Sequence, residues 1–85
     1  MGLDEERQRG QLAESLRNNP LLQEIFQALR DSYITDWSQT ERSDVDKREQ
    51  QYYLLKALDD IELELQSIIS TGRLATQQIE SNKKK

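Results

Sequence analysis

Leu54, Leu58, Ile61, Leu65 and Ile68 recur at alternating spacings of four and three residues inside an otherwise polar chain. Apolar residues at that spacing fall on one side of an α-helix, and two heptads of them make a seam that only another helix fills well. The seam therefore predicts an all-α fold held by helix-on-helix packing. Nothing in the seam is chemically reactive, so it points to contact rather than catalysis.

The rest of the chain offers little else to fold around. Eighty-five residues, 34% hydrophobic and 33% charged, allow one small domain with a thin private core. Short chains commonly compensate with disulfides, a metal or oligomerisation. With no cysteine and no histidine, disulfides and the commonest zinc ligands are excluded, which leaves self-association or docking on a larger protein. No apolar run approaches the length of a membrane span, and Met1 to Arg9 is charged where a signal peptide would be apolar. The expectation is a cytoplasmic protein with no membrane partner, and an enclosed assembly made in that compartment would look the same.

Charge is unevenly distributed. Residues 1–40 carry seven acids and four bases, residues 41–64 eight and four, and residues 65–85 one and four. An acidic body disfavours duplex binding, which draws most of its non-specific affinity from clustered Lys and Arg. Nucleic-acid contact is left to the basic end, Lys83, Lys84 and Lys85, although a three-lysine run more commonly serves as a solubilising end.

Local signals divide the chain into an arm, two helices and a tail. Residues 1–18 hold only scattered apolar residues (Leu3, Leu12, Ala13, Leu16) around Gly10, which predicts a weakly ordered N-terminal arm. Asn19 can accept the amides of a first helical turn and Pro20 suits the first helical position, so a helix is expected from Pro20 to about Ser38. Leu22, Ile25, Phe26, Leu29, Tyr33 and Trp37 recur along it at three and four residues, with Arg30 among the polar residues expected on the other side. A polar stretch then leads to Ser43, which with Asp46 three residues later resembles a capping arrangement, Asp44 and Asp46 being favourably placed in the first turn, and a second helix is expected over 44–71 with Gly72 as its stop. The domain thus reads as an antiparallel helical hairpin over 19–74, followed by a basic C-terminal tail over 75–85. At 1.5 Å per residue the helices would measure about 28 and about 40 Å. Leu65, Ile68 and Ile69 would then overhang the shorter helix and seek cover from a partner. The expected interface comprises Tyr52, Tyr53, Leu54, Leu55, Leu58, Ile61, Leu65, Ile68 and Ile69.

Catalytic and metal readings are weak. Asp59, Asp60, Glu62 and Glu64 supply four carboxylates, but helical geometry disperses them over different faces and no calcium-type loop surrounds them; a solvated acidic face is the ordinary reading, with Lys56 and Asp60 spaced for an ion pair. Asp36, Ser38 and Thr40 cluster near a helix end without a histidine base or a glycine-rich cradle. No cofactor, metal site or enzymatic activity is expected. Trp37 is expected to cap the core near the loop, while adjacent Tyr52 and Tyr53 cannot both point inward, so one is available for an interface.

The succession Asn19-Pro20-Leu21-Leu22, Leu29 with Tyr33 and Trp37, Arg48-Glu49 with Tyr52, Ala57-Leu58-Asp59, Ser67-Ile68-Ile69 and Thr71-Gly72-Arg73-Leu74-Ala75 resembles small helical proteins encoded among the head and packaging genes of tailed bacteriophages. The resemblance spans roughly residues 19–75 and transfers no individual functional residue. It implies a virion or assembly component acting through helix-mediated contacts, as repeated copies in a ring or shell, which agrees with the homo-oligomer docked on a larger protein that the thin core and the overhang lead one to expect. Two other readings are compatible with the residues: a small acidic regulator that occupies a basic groove of a nucleic-acid enzyme, and a packaging subunit that touches nucleic acid through the basic tail.

Overall fold

The structure, a computed structural model, describes residues 2–84, and every regular element among them is helical. Three helices follow one another: α1 (Leu3–Arg17), α2 (Pro20–Ser38) and α3 (Val45–Lys83). The break between α1 and α2 has a local cause. Asn19 is extended (φ −70°, ψ 119°), as a residue before proline prefers, and Pro20 has no N–H to offer the preceding turn. The Asn19 Oδ1 accepts hydrogen bonds from the amides of Leu21 (2.9 Å) and Leu22 (3.2 Å), which starts α2 where the sequence places it. Gln23 Nε2 donates across the junction to the Arg17 carbonyl at 3.0 Å.

Both short helices run antiparallel to α3. Gly10 meets Gly72, Glu14 pairs with Arg73, Arg17 donates to Gln66, and Arg30 reaches Asp59 and Glu62. Partner numbers thus fall along α3 as the chain advances through α1 and α2. The 39 residues of α3 extend about 58 Å at 1.5 Å each, and the whole molecule measures 65 × 23 × 15 Å. At each level along α3 one other helix lies beside it, α1 along the carboxyl half and α2 along the amino-terminal half. In the connection between α2 and α3, Arg48 donates from α3 to the carbonyls of Glu41 (2.7 Å) and Arg42 (3.0 Å), tying the loop down.

Three sequence expectations are corrected here. Residues 3–17 are not a weakly ordered arm but helix α1, with Asp4, Glu5 and Glu6 in its first turn and Arg17 in its last, both favourable to the helix dipole. Gly72 does not stop the second helix: no glycine has a positive φ, and α3 runs through it to Lys83, so most of the expected tail is helical. Consequently the arrangement is three-helical rather than a two-helix hairpin, and the overhang at Leu65, Ile68 and Ile69 is covered by α1 of the same chain. Lys85 lies outside the described residues.

The physical reason for Gly72 is proximity. A Cβ on Gly10 would stand 2.8 Å from the Gly72 Cα; one on Gly72 would stand 2.7 Å from the Gly10 Cα and 3.0 Å from the Glu6 carbonyl oxygen. These obstacles are backbone atoms, which cannot rotate aside. Ala13 and Ala75, one turn away on each helix, are also buried, and their small side chains extend the close approach. Ile69 fills the space beside this contact and is 1% exposed, the only large side chain so fully enclosed among the described residues.

The sign of one substitution tests this contact. On an isolated helix Gly72→Ala would stabilise by about 1 kcal/mol through propensity. Here it should destabilise, by about 1–3 kcal/mol, because the helices must separate. A denaturant midpoint raised by Gly72→Ala would show that α1 does not dock this way.

Candidate protein-interaction face

Arg30 defines one side of the molecule. From α2 its Nη1 donates to Asp59 Oδ1 at 2.8 Å and its Nη2 to Glu62 Oε1 at 2.7 Å. Residues of the run read as a solvated acidic face thus hold the neighbouring helix, and Arg30, expected on the outward side, points toward α3. Hydrogen bonding to Asp59 and then Glu62 raises the guanidinium pKa above its ordinary value, outweighing the opposing cost of burial. For a raised pKa the stabilisation is complete below the unfolded-state value and fades only as pH climbs through the folded-state value, so Arg30 itself stays charged across ordinary pH.

The opposite side follows from helical geometry. At 100° per residue, the line of α3 that meets the other helices passes through Leu58, Leu65 and Ile69. Asp59, Glu62 and Gln66 project to one side of it, and Ala57, Ile61 and Ile68 to the other. On α2 the corresponding line passes through Leu22, Phe26 and Tyr33. Arg30 lies on one side, and Leu21, Ile25, Ala28 and Leu29 on the other. Because Arg30 touches Asp59 and Glu62, its side of α2 matches theirs on α3. Leu21, Ile25 and Leu29 therefore share a face with Ala57 and Ile61. That face is open, with Leu21 64%, Ile25 45% and Ile61 49% exposed.

The residues expected at an interface are placed very differently from one another. Ile69 is enclosed beneath α1 and Leu58 is buried too, so neither is available to another molecule. Leu54, Leu55, Leu65 and Ile68 are half-buried along α3, while Ile61, Tyr52 and Tyr53 are exposed. Tyr52 and Tyr53 meet edge to face with centroids 5.9 Å apart, and the Lys56 ammonium lies 5.4 Å from the Tyr52 ring centre. Trp37, expected to cap the core, is half exposed at the end of α2. Near the carboxyl end Lys83 closes α3 and Lys84 caps it, both exposed.

Sequence reasoning missed the α2 contribution. Leu21, Ile25 and Leu29 stand four residues apart, a signal that merges with the neighbouring Leu22, Phe26 and Tyr33 into one broad apolar stripe. A groove of about 350 Å³ lined by Arg17, Leu22, Phe26, Arg30, Glu62 and Leu65 crosses the Arg30 side, where Arg30 pairs with Glu62 and Arg17 donates to Gln66. No described helix is long and apolar enough to cross a membrane. No protein family, curated protein or solved structure matches the chain.

The Arg30 bridge should contribute modestly, because the Arg30 side chain is 26% exposed and its acids more so. Arg30→Ala is expected to lower stability by roughly 1 kcal/mol or less, with the difference from the parent shrinking as salt rises. A loss of several kcal/mol that salt leaves unchanged would mean that Arg30 acts through packing.

Proposed function

We propose that this chain is a non-enzymatic structural or assembly protein that associates with its own copies and docks a larger protein, as a component of a bacteriophage particle. The observation that carries the reading is the mismatch between enclosed and exposed apolar residues. Among the described residues Ala13, Leu58, Ile69 and Ala75 are the buried hydrophobic ones, whereas Leu12, Leu16, Leu21, Ile25, Leu29, Ile34, Trp37, Val45, Tyr52, Tyr53, Ile61, Leu63 and Leu74 are exposed. Single exposed apolar residues are ordinary on a protein surface, but a contiguous set such as Leu21, Ile25, Leu29 and Ile61 marks a contact surface. The phage setting rests on the sequence resemblance over residues 19–75 and on the suitability of a rigid helical rod for repeated packing. Interfaces of this kind use aromatic and aliphatic anchors, and the exposure of Trp37, Tyr52 and Tyr53 supports such a role toward the larger partner.

Light scattering on the purified protein at micromolar concentration should give a mass above the 10.0 kDa of one chain. A monodisperse monomer that melts cooperatively would overturn the self-association at the centre of this reading.

A further inference from the structure

We infer that the face bearing Leu21, Ile25, Leu29, Ala57 and Ile61 is the seat of a second copy of this chain, the two copies closing a four-helix arrangement about a two-fold axis. The inference rests on the self-association proposed above and assigns it a surface, a partner and a stoichiometry.

Area supplies the first argument. The chain exposes 6652 Å², whereas a compact monomer of 10.0 kDa exposes about 5,200 Å². The surplus, about 1,400 Å² over the whole elongated molecule, is more than the roughly 800 Å² that each partner of an ordinary stable complex buries. Layering supplies the second. Stable domains are built from at least two packed layers, yet here each stretch of α3 has one helical neighbour and the thinnest dimension is 15 Å. Laying one copy on another places four helices in cross-section at the level of α2, the arrangement in which facing apolar stripes of this spacing are normally covered.

Charge favours a like partner on this side. A two-fold interface presents the same patch twice, so any charge near its axis meets its own copy. Leu21, Ile25, Ala28, Leu29 and Ser32 on α2, and Ala57 and Ile61 on α3, carry none, and Glu64, one heptad beyond Ala57 on the same side of α3, borders the patch next to α1. The Arg30, Asp59 and Glu62 cluster lies on the opposite side, where it can stay hydrated. Ala28 and Ala57 are small enough to let helices of the two copies approach closely.

Sedimentation equilibrium of the full chain, combined with cross-linking, tests the proposal. The parent should sediment as two copies, and Ile25→Glu with Ile61→Glu should raise the dissociation constant at least 100-fold. Leu63→Glu and Leu74→Glu, both exposed at positions away from this face, should leave it within about threefold, consistent with the small effects of surface changes. Since the charged double variant could unfold, single cysteines in this cysteine-free chain give an independent readout. Leu29→Cys should cross-link between copies through a short bis-maleimide, and Leu63→Cys should not. A parent that sediments as one copy overturns both this inference and the reading beneath it. Two copies that cross-link through residue 63 and not residue 29 overturn the assigned face alone, and a mass above two copies overturns the stoichiometry.

Discussion

The contact between Gly10 and Gly72 organises the carboxyl half of α3 and fixes α1 on it. A Cβ on either glycine would collide with the backbone of the other helix, so the closeness of α1 and α3 depends on both residues lacking one. Dispersion attraction is short-ranged, and a gap of even one ångström forfeits much of it. Glycines here, with Ala13 and Ala75 beside them, let a short and weakly apolar helix gain enough contact to stay on α3. Ile69 becomes a core residue as a result, and the Glu14–Arg73 pair closes at 3.4 Å. Glycine is a poor helix former, so this site exchanges local helix preference for tertiary contact.

The amino-terminal half of α3 is held differently. There α2 offers bulky side chains, Leu22, Phe26 and Tyr33, and Arg30 spans the edge to Asp59 and Glu62. Bulky contacts leave a wider separation, and a groove remains beside Arg17 and Leu65. Having one neighbour at each level leaves every helix with an open side. Where the edge of that side is polar, side chains pair across it, as Arg17 with Gln66 and Glu14 with Arg73. Along Leu21, Ile25, Leu29 and Ile61 it is apolar, and burying such area yields about 25 cal/mol per Å². The same feature that makes the fold thin makes it adhesive.

Much of the local structure was legible in residue order. Asn19 and Pro20 mark the start of α2 because capping and the missing N–H act within a few residues, and α2 ends at Ser38 as its periodicity indicates. The start of α3 is displaced by one residue, with Asp44 rather than Ser43 at its N-cap and no capping hydrogen bond from the Asp44 side chain. The readings that failed share one cause. Gly72 looks like a helix stop, and residues 1–18 look too polar to order, when each is judged by its neighbours in sequence. Arg30 and the acids at 59 and 62 look like solvated charges for the same reason, since about thirty positions separate partners that are adjacent in space.

Sequence alone determined that this chain is helical, where its middle helix begins and ends, and that its apolar residues are too few for a generous core. Those properties follow from hydrogen bonds, caps and composition, which operate within a turn or two. Only the tertiary structure decided that α1 docks, that α3 continues past Gly72 and that Ile69 turns inward while Ile25 and Ile61 remain outside. Each of these depends on which backbones approach within van der Waals range, a relation between distant residues that helical periodicity does not encode.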